Sequence, residues 1–332
     1  ALLRTKPVQT WTGQRIASFL AAELNTSISI GGIDIDLPGT LVLEKIYVAD
    51  LQQDTLLYAR RLGVSYRSFQ KKQNHLELGV ISLTGGKFFL KSYKNNKGKN
   101  LDFSLNYFNS GTKTDSSAVP FSVTVNSVTG QSSAFTYKDE GDTLRTTGVN
   151  FSDIDTRNID YEISNLKLIG GDIKATIKSF SLTEKSGFKI KDFSALVTVN
   201  DHEIEAKQLH LITNESDVRR YFSMKYKSWD DYVDFFNKVR FYVNLENAWV
   251  SSTDISYFAS VLDKVKVSAH ATGIISGPLA KLESKKLRVD AQKSTYISTS
   301  FQLKGLPDPD NFLMNVQVKD LHTNQEDLKP IL

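Results

Sequence analysis

The chain has no cysteine. That excludes disulfides, thiolate metal sites and cysteine nucleophiles together. The absence suits an oxidising compartment without specifying one, because cytosolic proteins can also lack Cys. Nor is there an apolar run near the ~20 residues that a membrane-spanning helix needs. The opening Ala1-Leu2-Leu3 stops at Arg4 and Lys6. Two readings of that start stay open: the end of a preceding span, or a frayed terminus. An excess of one charge sign is missing too. Lys and Arg number 41 against 37 Asp and Glu, a net charge of +4. Spread over 332 residues, this is too weak to argue for nucleic acid. A pI of about 8.9 would not repel an anionic membrane.

The residue constellations of catalysis are equally scarce. The five histidines, His75, His202, His210, His270 and His322, form no H-x-H or H-x-x-x-H pair. Asp34 and Asp36 share one face of a strand, as i and i+2 must, but no third ligand or lone base is near in sequence. A solvated strand face explains them. Asp153 and Asp155 lack the glycine and terminal Glu of a calcium loop. No phosphate loop, G-x-G-x-x-G or G-x-S-x-G occurs. Lys71-Lys72, Lys185 to Lys191 and Lys281 to Arg288 are basic clusters that read as solvated faces, with lipid head groups or anionic partners as the functional alternative. The 19 Phe and 13 Tyr lie on strands rather than interleaved with Arg. The expectation is a non-enzyme: no catalytic residue, no metal, no cofactor and no nucleic-acid partner.

What is present is a change of period. Val8, Trp11, Ile16, Phe19, Leu20 and Leu24 recur at helical spacing after Pro7, which predicts an amphipathic helix over 7–25. From Ile28 onward the period is two. Ile28 and Ile30, then Ile33, Ile35 and Leu37, begin a series of strands that are apolar on one face and polar on the other. Phe121, Val123 and Val125 belong to it. So do Phe241, Val243 and Leu245; Leu287, Val289 and Ala291; and Phe312, Met314, Val316 and Val318. Turn signals such as Gly31-Gly32, Pro38-Gly39, Gly170-Gly171, Ser186-Gly187 and Gly277-Pro278 follow at short intervals. The fold class is therefore mainly β. The pattern predicts about 16 to 18 strands, mostly antiparallel because short turns cannot make parallel crossovers. Tyr93 to Asn100 and Asn109 to Ala118 read as loops.

Three short helices are expected among the strands: one capped by Ser228 with Asp231 three residues on, one capped by Asp254, and one opened by Thr323 and Glu326 as a capping box. An offset of 73 sets Asp254-Ile255 on Asp327-Leu328 and Phe241, Val243 and Leu245 on Met314, Val316 and Val318. This is a weak repeat signal of about 70 residues.

So many one-faced strands with so few helices must bury that face against a second sheet, in a barrel, or against something that is not protein. The pattern by itself favours a sandwich, the usual solution. An open sheet with an exposed apolar face is the alternative.

Several phrases resemble the AsmA-like/TamB family. They are Leu2-Leu3-Arg4-Thr5-Lys6-Pro7-Val8-Gln9-Thr10-Trp11, the strand–Gly-Gly–strand element from Ile28 to Leu37, Leu41 to Val48 and Asp54-Thr55-Leu56-Leu57. Tyr226-Lys227-Ser228-Trp229-Asp230-Asp231, Asp254 to Ala259 and Leu303 to Asp308 are similar to it as well. The resemblance is strongest in the first sixty residues and from Tyr221 onward, and 93–150 adds little. It implies a long, mostly antiparallel, U-shaped β-groove. Residues 1–6 would end a membrane anchor, 7–25 would cap the groove, and 26–332 would be the groove itself. It further implies an inner-membrane-anchored bridge in the periplasm of a Gram-negative envelope, conducting phospholipids towards the outer membrane. The acyl chains would run along Phe121, Val123, Val125, Phe241, Val243, Leu245, Leu287, Val289, Ala291, Phe312, Met314, Val316 and Val318. The alternative it implies is assembly of outer-membrane or secreted proteins with an outer-membrane barrel partner.

Overall fold

The computed structural model describes residues 18, 24–36, 39–94, 98–103, 120–142, 148–259, 262–291, 294–306 and 311–328. Most of the expected helix over 7–25 lies outside them; Ser18 and Leu24 are helical. The proposed anchor end, 1–6, also lies outside.

The described chain is one open sheet of 15 strands whose order in space is their order in sequence. They are Ile28–Asp36 (β1), Thr40–Ala49 (β2), Thr55–Gln70 (β3), His75–Ser92 (β4), Ser122–Asp139 (β5), Asp153–Ile169 (β6), Asp172–Glu184 (β7) and Lys189–Val199 (β8). Glu203–Thr213 (β9), Asp217–Lys225 (β10), Arg240–Ser251 (β11), Ser268–Pro278 (β12), Lys281–Ala291 (β13), Thr295–Lys304 (β14) and Leu313–His322 (β15) complete it. β1 to β4, β5 with β6, and β8 to β15 pair antiparallel, while β4 and β5 run parallel. Roughly 30 residues separate those two strands, enough chain for the return crossover that a parallel pair requires.

The sandwich that the alternation favours does not form. Among the described residues the main contacts between elements join neighbouring strands, or a short helix to a strand or to an adjoining helix, and no second sheet packs on the first. The contacts group the chain into two units, Ala1–Gly170 with Ser179–Gly187 and Gly171–Lys178 with Phe188–Leu332.

Within each unit the strands share an interruption at mid-length. In the first, Lys45, Gly85, Ser132 and Asn158 have left-handed backbone, with φ of 52°, 62°, 52° and 53°. The flanking register sets Lys45 beside Arg60, Arg60 beside Gly85 and Gly85 beside Ser132. In the second, register shifts fall at Gln208, Arg220, Asn247 and Gly273, between Ser284 and Leu287, and between Val318 and Asp320. A bulge inserts one residue, bends the strand and shifts its alternation by one. On β11 the apolar positions are therefore odd up to Leu245 and even from Ala248, and both sets join one cluster with Val243 and Val250.

Two of the three helix caps differ from the sequence expectation. Ser228 does cap Trp229–Asp234, accepting from Asp230 N at 3.3 Å, while Asp231 reaches back to Lys227 N at 2.7 Å. The helix Ser252–Ser256 is instead capped by Ser251, which accepts from Thr253 N. Asp254 lies inside that helix and accepts from Thr213 Oγ1 at 2.5 Å and Glu215 N at 3.0 Å. At Gln325–Leu328, Asn324 Oδ1 takes Asp327 N at 2.8 Å, and Thr323 pairs with Thr295 across β14 and β15. Asp327 accepts from Ser294 N and Oγ and from Thr295 Oγ1. Asp254 and Asp327, matched by the 73-residue offset, thus do the same thing. Each closes the hairpin turn two strands back.

Candidate functional site: the apolar face

Directly paired residues lie side by side on one face of a sheet, so the register builds the site row by row. In the first unit one row is Ile35, Leu41, Val64, Ile81, Val128 and Ile163, crossing β1 to β6. A second is Ile33, Leu43, Leu62, Leu83, Gly130 and Tyr161. The Tyr161 ring lies over Gly130, where a Cβ would sit 2.1 Å from it, so only glycine fits beneath. Beyond the left-handed positions a third row is Ile28, Val48, Leu57, Phe88 and Phe135, in which Phe88 and Phe135 stack at 6.0 Å. Of the expected lining residues, Val123 stands between Leu76 and Leu168, and Val125 between Leu78 and Leu166. Phe121 precedes β5 and is 52% exposed.

In the second unit, Val243 pairs with Phe222 on one side and Ile275 on the other. Leu245 connects through Gly273 to Leu287, and Leu287 through Thr299 to Val318. Val289 pairs with Ala271 and Ile297. Met314 pairs with Leu303 and Val316 with Phe301. Phe241 pairs with Met224 and Gly277, and its ring meets Phe222 at 5.9 Å and Phe235 at 5.7 Å. Ala291 ends β13 opposite Thr295, and Phe312 precedes β15. Exposure varies along this set. Val125 and Leu245 are covered by their neighbours, whereas Met314, Val316 and Val318 on β15 stay 59%, 42% and 53% exposed.

Sequence reading passed over much of this face. The rows of β1 to β4 carry the same alternation and could have been chosen by the same rule. The cluster of Ala195, Ala206 and Leu209 with Phe193, Val197, Leu211 and Phe222 is hidden by its small residues and by the bulge at Gln208. The chain of rings Tyr226, Trp229, Tyr232, Phe235 and Phe241, each 5.0 to 5.7 Å from the next, brings aromatic surface from the 226–239 connection to this face.

The polar residues singled out from sequence do not converge. Asp36 meets Arg61 at 3.4 Å on the exposed surface. His75 bonds Ser122 and Thr124 across β4 and β5. His210 faces Asp217 at 3.0 Å, whose carboxyl is held below the ordinary range mainly by Arg219. His270 packs on Trp249 and His322 on Tyr296. Among the described residues no three His, Cys, Asp or Glu side chains gather to hold a metal, and no helix is long and apolar enough to cross a membrane.

Comparison of the chain with protein-family models, with curated proteins and with solved structures returned no match.

Proposed function

We propose that this chain is a lipid-conducting module, in which acyl chains lie along the apolar face of the sheet. The observation that carries the reading is that, among the described residues, the apolar rows run from strand to strand with no protein layer over them. An acyl chain crossing water costs about 0.8 kcal/mol per CH₂, so a 16-carbon chain meets a barrier on the order of 12 kcal/mol. A gutter of Ile, Leu, Val and Phe removes most of that while the head group stays in water. Lining of this kind offers few polar anchors, so it favours passage over tight retention. In this reading the module sits in the periplasm of a Gram-negative envelope, anchored upstream in the inner membrane, and passes phospholipids towards the outer membrane.

The test is native mass spectrometry with lipid extraction on the purified chain and on its Val243→Glu and Val316→Glu variants. Several phospholipids should accompany the parent and be lost from both variants, while their circular dichroism is unchanged. A folded chain that carries no lipid, or a variant carrying as much as the parent, would sink the proposal.

The alternative reading is assembly of outer-membrane or secreted proteins with a barrel partner. Photocrosslinks from the sheet to a client polypeptide rather than to lipid would favour it.

A further inference from the structure

The opposite, polar face of β9 to β12 carries a built depression. Its rows follow from the register: Lys207, Tyr221 and Asn244; Glu205, Ser223, Tyr242 and Ser276; and Glu203, Lys225 and Arg240. Ser223, Ser276 and Gly277 are small, and long side chains surround them. The result is a cleft of about 920 Å³. Ser223 lines it and is 1% exposed; its hydroxyl interacts with that of Tyr221 but makes no close hydrogen bond. A buried polar group left short of partners is costly, and a site awaiting a ligand is one reason to keep it.

The lining is rich in donors. It holds five cations, Lys207, Arg219, Arg220, Lys225 and Arg240, and one carboxylate, Glu246. The other carboxylates fix the cations in place. Asp217 grips Arg219 by two hydrogen bonds at 3.0 and 2.9 Å. Glu205 takes Lys207 at 2.9 Å and the Tyr221 hydroxyl at 2.8 Å. Glu203 takes Lys225 at 3.5 Å, and Glu246 takes Arg220 at 3.0 Å. Arg240 is exposed and has no carboxylate partner among the described residues. Arg220 sits at the bulge with φ of 109°, a conformation that non-glycine residues rarely adopt and that places its side chain at the cleft rim. Fixed cations, hydroxyl donors and one uncommitted guanidinium around a single hollow match a tetrahedral anion, whose several oxygens can each accept from a different donor.

We propose that this cleft binds a phosphate-bearing ligand, an ester either free in solution or in the head group of a lipid. Five cations against the four carboxylates Glu203, Glu205, Asp217 and Glu246 leave a small positive surplus, so binding should be weak and should weaken further as salt rises. The proposal stands independently of lipid passage along the other face.

The experiment is an amide-resolved NMR titration of the whole chain with inorganic phosphate, with glycerol 3-phosphate, and with vesicles of phosphatidylglycerol or of phosphatidylcholine. Saturable shifts are expected at Ser223, Lys225, Arg240 and Tyr242. Arg240→Gln and Lys225→Gln should each weaken binding at least about tenfold, the effect of losing one charge-assisted hydrogen bond. Both positions are exposed, so the fold should survive, and unchanged melting would confirm it. Lys285→Gln, on β13 outside the cleft, is the charge-matched control and should leave binding as it was. Saturation by phosphate and glycerol 3-phosphate identifies a soluble ester. A response to phosphatidylglycerol vesicles alone, lost in Arg240→Gln, identifies a lipid head group. No saturable response to any probe, or an equal loss in Lys285→Gln, overturns the proposal.

Discussion

Asp50 anchors the turn from β2 to β3 in the first unit. Its side chain is fully buried at the turn from β2 to β3. One carboxylate oxygen accepts from Gln52 N and Asp54 N, both at 2.9 Å. The other accepts from Tyr93 Oη at 2.7 Å and Asn100 Nδ2 at 3.2 Å. It therefore closes the turn and ties the segment after β4 across the end of β3. Asp54 shares Tyr93 at 2.8 Å and meets Lys91 at 2.6 Å, yet its side chain is 46% exposed. Asp50→Ala removes four charge-assisted hydrogen bonds. Two of the donors keep another partner, Asp54 for Tyr93 and Phe89 O for Asn100. Water can reach the exposed turn amides. At about 1.5 to 3 kcal/mol per bond to a charged group, and with the carboxylate's own desolvation cost relieved, a loss of about 3 kcal/mol is expected. Asp54→Ala breaks a largely solvated pair and should cost under about 1 kcal/mol. Asp50→Asn should fall between them, because its amide would face the donor Asn100 Nδ2. Hydrogen exchange over 89–102 together with denaturant midpoints of the whole chain would read this order. An Asp50→Ala loss no larger than that of Asp54→Ala would refute the reasoning.

Two further outcomes follow from the same geometry. Asp54 is held below the ordinary carboxylate range chiefly by the Lys91 hydrogen bond, and Asp217 chiefly by Arg219. Folded values that are lowered mean stability fully present above the unfolded value, near 3.8, and lost as pH falls through the depressed ones. Melting temperature should therefore be level down to about pH 5 and drop below about pH 4, and Lys91→Met should raise the Asp54 titration seen by carboxyl NMR; a fall already complete at pH 5 would contradict this. Gly273 on β12 has φ of 150°, and an added Cβ would lie 2.4 Å from Lys286 O and 3.1 Å from Leu287 Cα. Backbone cannot retreat as a flexible side chain can, so Gly273→Ala should cost about 2 kcal/mol or more, whereas Gly170→Ala, with nothing within 4 Å, should cost only its backbone strain; equal melting of the two variants would remove the close approach as a cause.

Much of the sheet was legible because a half-buried strand must alternate. Phe241-Val243-Leu245 and Met314-Val316-Val318 read correctly as strand faces, and short Gly turns predicted the antiparallel order. The aspartate offset was legible in part. Asp254 stood out as a cap and Asp327 only as its partner at the 73-residue offset, but as carboxylates that close distant turns their roles depend on residues 41 and 33 positions away, Thr213 and Ser294. No local pattern records such a partner. The polar cleft was invisible for the same reason: Ser223, Tyr242 and Ser276 become neighbours only through register.

The sequence by itself determined the class of structure, a mainly β chain of one-faced strands without cysteine chemistry, because side-chain period and turn residues act over a few positions. Only the tertiary structure decided that the strands lie in one open layer in chain order, that β4 and β5 run parallel, and that Leu245 and Ala248 can line one face although their parity differs. The change of parity rests on bulges at residues such as Lys45, Ser132 and Gln208. Nothing in a lysine, serine or glutamine announces a left-handed backbone, and a single such residue decides which way every side chain beyond it points.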